Sequence, residues 1–236
     1  MVQITTLLPL LASLLAVSAA PVSHDSASLD AESTLPTIRE SALTARKILF
    51  ASNTAHFATV YPSDPNARGV PAGAHGKPTV WPHLIADCSE DGTPSVIVFP
   101  IAATWRNAKA DNGSIAVSVE AEDWTVEKGR VALLGKVVEY DFQSEAEEDE
   151  IRECFVAKNP DAKWWLPKKG KNGVHSSRFG KVEVESVQWV GGFGGVARIG
   201  ELPLDVYKGI ERKEVDAEVK QEQTHRFTIQ TGRDAL

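Results

Sequence analysis

The strongest constraint on this chain is a glycine run, Gly191-Gly192-Phe193-Gly194-Gly195, set directly behind an alternating segment. The residues Val182-Glu183-Val184-Glu185-Ser186-Val187-Gln188-Trp189-Val190 alternate apolar and polar, the period-two rhythm of a half-buried strand. The glycines after it permit sharp turning and positive φ. A strand followed by glycines invites a dinucleotide reading, and Gly192, Gly194 and Ala197 do fit G-x-G-x-x-A. That fingerprint needs a helix at once, because the pyrophosphate sits on the helix N-terminus. Gly200 and Pro203 fall where its interior would be, and an interior Pro costs about 3 kcal/mol. The run therefore reads as a strand-to-loop turn in a β-protein.

The 236 residues are 42% hydrophobic and 24% charged, enough for one domain with a real core. The formal charge of −7 and pI of about 5.4 argue against nucleic-acid binding, which needs clustered Lys and Arg. The short cluster Lys168-Lys169-Gly170-Lys171 reads as a solvated loop. Leu7 to Val17 is an uncharged apolar run too short to span a bilayer, followed by small residues Val17-Ser18-Ala19. It predicts a signal peptide over 1–19 and a protein of the secretory pathway, without a membrane span. Residues 20–36 read as a flexible segment.

Two cysteines remain, Cys88 and Cys154. In an oxidising compartment they are expected to pair; two buried free thiols are the alternative. Asn112-Gly113-Ser114 is an N-glycosylation acceptor at a turn-like position.

Helix one is expected from Thr37 to Ser52, with Thr37 and Glu40 as a capping box and Ile38, Ala42, Ala45 and Leu49 as its apolar stripe. Strands follow at 57–61, 79–86, 95–101, 114–120 and 130–140, with a long Pro- and Gly-rich loop at 62–78. A second capping box, Ser144 with Glu147, opens a helix with Ile151, Cys154 and Phe155 on its apolar face, ended by Asn159-Pro160. Gly209 marks the end of the folded part, leaving 210–236 as a polar tail. Antiparallel strands with two main helices predict a mainly β (α+β) barrel with helices at its edge.

Chemistry is sparsely signalled. No nucleophile elbow, H-E-x-x-H or P-loop occurs, and the six histidines lack metal-ligand spacing. The acids Glu145 to Glu150 read as a solvated helix start. Thr104-Trp105-Arg106-Asn107 offers a hydroxyl, a guanidinium and an amide at a strand end, suited to a phosphate; a loop whose Arg pairs with an acid reads equally well. Trp164 and Trp165 read as a core cap or as walls for a flat ligand.

Taken in order, Ala45-Arg46-Lys47-Ile48-Leu49, Phe57-Ala58-Thr59-Val60, the hairpin Pro82 to Pro100, Thr104 to Asn107, Asn159-Pro160-Asp161-Ala162 and Trp189-Val190-Gly191-Gly192-Phe193-Gly194 resemble the pyridoxamine 5′-phosphate oxidase-like, FMN-binding split-barrel superfamily, most closely its secreted CREG-type branch. The resemblance covers residues 37–209. It implies a six-stranded antiparallel split barrel that forms homodimers. Thr104 and Arg106, with Asn107 beside them, stand where the superfamily's flavin-phosphate contacts fall. Pro100 stands where a basic residue is expected. The branch implies a non-catalytic binding glycoprotein with a protein or glycan partner and a cofactor state of none or FMN. An FMN-dependent oxidoreductase and a haem-binding protein using His175 or His225 are the alternatives.

Overall fold

The computed structural model describes residues 35–167 and 176–233. The signal peptide, the flexible segment as far as residue 34, Lys168–Lys171 and His175 lie outside them, as does the side chain of His225. Seven strands form one antiparallel sheet: β1 (Thr54–Val60), β2 (Pro78–Ala86), β3 (Ser95–Val98), β4 (Ser114–Glu120), β5 (Arg130–Glu139), β6 (Arg178–Gly191) and β7 (Arg198–Leu202). Their order is β3-β2-β1-β4-β5-β6-β7, and β3 also pairs with β6. That last pairing closes six strands into a barrel and leaves β7 as an extra strand beside β6. The six-stranded split barrel is thus the architecture present.

The split lies between β2 and β3, which pair only at Ile85↔Val96 and Ala86↔Ser95. The amide of Ile85 points back to Asn53, so by strand alternation Pro78, Val80, Pro82 and Leu84 face the open edge. Two of those four are prolines and lack the donor a further strand would need. This explains how Pro82 sits inside a strand, and it guards the edge against strand addition.

Helix α1 (Ile38–Ala51) starts on the expected reciprocal capping box of Thr37 and Glu40. Ala42, Ala45 and Leu49 are fully buried in the barrel core, with Phe57, Val117, Leu133, Val187 and Trp189. A second, smaller core lies between the barrel wall (Ala86, Ile97, Phe179) and α3 (Glu145–Lys158), which contributes Ile151 and Phe155. Cys88 and Cys154 form a disulfide that fastens α3 to the β2–β3 connection. At the start of α3 Ser144 accepts from the Glu147 amide, but the Glu147 carboxylate accepts from Gln143 rather than Ser144, so the second box is only half formed.

Several expectations are corrected. Among the described residues five α-helices occur, beyond the two main ones expected: α2 (Ala103–Ala110), α4 (Leu204–Lys208) and α5 (Arg212–Arg233) join α1 and α3. The strand expected to reach Ile101 ends at Val98, and Thr104–Asn107 lies in α2 rather than in a loop. The fold does not end at Gly209. Ile210 and Val215 are buried, and α5 is tied to α1 by Arg39–Glu214 at 2.7 Å and Lys47–Glu218 at 3.7 Å. A mostly polar helix with so narrow an apolar stripe carries little hydrophobic signal in sequence.

The glycine run is the turn after the last barrel strand. Gly192 has φ of 83°, and a Cβ there would stand 2.7 Å from the Val196 carbonyl oxygen. The chain then makes a 3-10 turn at Gly194–Val196 and returns as β7.

Candidate functional site

The split in the barrel is the natural place to look for a site. A cavity of about 270 Å³ opens there, lined by Pro82, His83 and Leu84 of β2, by Ile97 and Phe99 at β3, and by Trp165. His83 is the one ionisable residue in this lining. Its Nε2 lies 2.9 Å from Oγ1 of Thr104, and its ring packs at 4.7 Å on Trp105 and at 5.3 Å edge-on to Phe57. Burial pushes the imidazole down to about 4, so it is neutral at physiological pH. In the sequence this histidine shows only that it lacks metal-ligand spacing to the others. Its partner is 21 positions away, so only the fold brings them together.

The three phosphate candidates do not converge. Thr104 is buried and engaged with His83; Asn107 is buried and donates from Nδ2 to Oγ1 of Thr59 at 3.2 Å. Positions 104 and 107 share one face of α2, turned into the barrel. Arg106 leaves the other face, is exposed, and donates to the Gly69 carbonyl at 3.3 Å in the 62–77 loop. A flavin phosphate needs cations and free donors aimed at one point. The cleft lining contains no cation, and this arrangement within one chain does not fit that group. Of the two tryptophans only Trp165 lines the cleft, and neither caps the core: Trp164 is 73% and Trp165 51% exposed, while Ala162 and Leu166 of the same segment are buried.

Behind the β2–β3 connection lies a second buried polar cluster that the sequence did not announce. Arg46 of α1 is fully buried and donates to the carbonyls of Ile210 at 2.8 Å, Glu90 at 3.0 Å and Tyr207 at 3.4 Å. Asp87 faces it at 3.7 Å with both carboxylate oxygens buried and unbonded. Burial pushes Asp87 up to about 6, against the pull of Arg46 and Arg212. The Tyr207 hydroxyl donates to Gly92, whose positive φ and lack of Cβ leave room for the guanidinium. These bonds clasp the C-terminal helices to the barrel. They are structural rather than catalytic, since the cluster has no open face.

A larger cavity of about 650 Å³ lies between α1, the β4–β5 connection and α5. Its ammonium groups are committed: Lys158 to the carbonyls of Phe50 and Ala51, Lys128 to those of Glu122 and Asp123, Lys47 to Glu218 and Glu222. Among the described residues no three His, Cys, Asp or Glu could together hold a metal, and no helix is long and apolar enough to cross a membrane. Asn112 is exposed with φ of 50°, in the turn between α2 and β4.

These features can be set beside known proteins. No curated protein was found to match the chain. One solved chain aligns at 22% identity and TM-score 0.53 over 74% of this chain and 99% of its own length. A haem-binding protein from Mycobacterium smegmatis aligns at 20% identity and TM-score 0.53, over 75% of this chain but 62% of that protein, so this chain spans less than two thirds of it. An FMN-binding protein from Nostoc punctiforme, related to pyridoxamine 5′-phosphate oxidase, aligns more loosely, at 12% identity and TM-score 0.40 over 66% of this chain and 84% of that one. The likenesses at TM-score 0.53 concern the fold. The family model described as "CREG, beta-barrel" matches residues 36–208, from the cap of α1 through all seven strands to α4, and the chain belongs to the CREG β-barrel family.

Proposed function

We propose that the chain is a secreted, N-glycosylated homodimer that acts by binding a protein or glycan partner and uses no catalytic cofactor. The observation that carries this reading is the outer wall of the barrel. One cross-strand row runs Val80, Ala58, Ala116, Leu134 over β2, β1, β4 and β5. The next runs Pro82, His56, Ser118, Ala132. Only His56 in these rows can ionise, and Val80 and Leu134 are 56% and 38% exposed. A solvent-facing sheet is normally polar, so a neutral, small-residue wall suits a covered one. Two copies of a chain of charge −7 repel less when they meet on rows without carboxylates or ammonium groups, and these two rows have none, with Glu120 flanking His56 at 3.6 Å.

Secretion draws support from the disulfide, which persists in oxidising compartments, and glycosylation from the exposure of Asn112. Against a flavin stand the uncharged cleft and the dispersed Thr104, Arg106 and Asn107. Under the FMN-oxidoreductase alternative, Arg106 must leave Gly69 and Thr104 must release His83. Haem binding rests on the fold likeness to the mycobacterial protein and on His175 and His225, outside the described side chains. The purified protein should stay colourless through FMN and haem titration. A flavin band near roughly 450 nm retained through gel filtration overturns the cofactor-free reading; a retained Soret band does the same in favour of haem.

A further inference from the structure

The cleft at the barrel split has features of a binding pocket that the reading above does not use. Its walls are apolar: Leu84, Ile97 and Phe99, with Pro82 at the rim and the half-exposed indole of Trp165 across it. Its single ionisable group is His83. Nε2 of that ring is engaged by Thr104, and Nδ1 has no partner among the described residues. The ring cannot easily swing away, because Trp105 and Phe57 hold it on two sides. A strand cannot add here, since Pro78 and Pro82 remove donors from the open edge of β2. An anion finds no cation in the lining, and a charged guest would lose its hydration without a counter-charge. The volume of about 270 Å³ suits one or two fused rings rather than a three-ring flavin with its ribityl phosphate.

We propose that this cleft binds a small, uncharged aromatic molecule, its ring against Trp165 and Phe99 and one hydroxyl or amine within reach of the His83 imidazole. The ring gains apolar burial and aromatic contact, and the imidazole supplies orientation. The inference rests on the cofactor-free reading, because Thr104, which engages His83 here, is one of the residues a flavin phosphate would claim. A neutral imidazole also accounts for the preference for an uncharged guest, as burial disfavours its protonated form.

2-Naphthol, 2-naphthoate, naphthalene and FMN serve as probes in calorimetric titration of the full glycosylated protein. 2-Naphthol is expected to bind at least tenfold more tightly than 2-naphthoate. Trp165→Ala, at an exposed position, should fold normally and lose about tenfold in 2-naphthol affinity. His83→Phe should bind naphthalene as the unaltered protein does, while losing the preference for the hydroxylated ring. Should His83→Phe fail to fold, the Trp165→Ala comparison and the naphthol-to-naphthoate ratio still decide. Equal binding of naphthoate, unchanged affinity in Trp165→Ala, or no 2-naphthol binding overturns the inference. Binding of FMN overturns the cofactor-free reading itself; silence from both FMN and 2-naphthol overturns only this inference.

Discussion

Replacing Asp87 by Asn should make the protein lose stability in acid. The folded carboxyl titrates near about 6 rather than at its ordinary 3.8, because burial outweighs the attraction of Arg46 and Arg212. A pKa raised on folding means that the folded state holds its proton more tightly than the unfolded state. The stabilisation is complete below 3.8 and disappears as pH rises through about 6. Linkage then gives a gain of about 2 kcal/mol on going from about pH 7 to about pH 4.5. His83 works in the opposite sense. Its folded value of about 4 lies below the ordinary 6.5, so its contribution is present above 6.5 and is lost as pH falls toward 4. Allowing for its partial exposure, that loss is about 1–2 kcal/mol over the same interval. The two nearly cancel in the unaltered protein.

Urea unfolding at the two pH values measures this directly. Relative to the unaltered protein, Asp87→Asn should lose about 2 kcal/mol more stability on acidification. His83→Phe should gain about 1–2 kcal/mol relative to it, and the double variant should restore the original slope. Whatever Asn costs by leaving Arg46 without its anion is present at both pH values and drops out of the slope. Parallel pH profiles for Asp87→Asn and the unaltered protein would show that the clasp is solvated and refute the reasoning.

Other outcomes follow from particular residues. Cys88→Ser with Cys154→Ser opens a loop with sequence separation 66 and should cost about 4 kcal/mol in denaturant unfolding. Gly192→Val should lower the melting temperature, because φ of 83° and the Val196 carbonyl at 2.7 Å both oppose a side chain. Gly194→Asn should be nearly silent: a Cβ there meets nothing within 4 Å, and Asn tolerates its φ of 62°. The sequence alone gave no reason to separate these two glycines. Asn112→Gln should abolish the mobility shift that an endoglycosidase produces in the protein expressed through a eukaryotic secretory pathway; a shift that persists refutes glycosylation at this position.

What was legible in the sequence was local. The capping box of Thr37 and Glu40, the buried stripe Ala42, Ala45 and Leu49 (without Ile38, which is 42% exposed), and the alternation of β6 each depend on neighbours a few residues apart. Gly200 and Pro203 correctly excluded a nucleotide-binding helix. The same Gly200 broke the alternation that would have revealed β7. Helix α2 is eight residues long with no side-chain cap, too short to display a period. Arg46 reads as a surface charge on a helix until Ile210, Glu90 and Tyr207 supply acceptors from 44 to 164 positions away. The candidate site suffered most. His83 and Thr104 carry no motif, and Arg106 is placed by α2 geometry on the face away from Thr104 and Asn107.

The claim on which the rest depends is that the neutral outer wall of the barrel joins two copies. Light scattering on the purified protein, compared with Ala116→Glu, tests it at the centre of that wall. The account predicts twice the mass of one glycosylated chain for the unaltered protein, and one chain for Ala116→Glu with its circular dichroism unchanged. A single-chain mass for the unaltered protein, or a dimer that survives a glutamate at position 116, would contradict it.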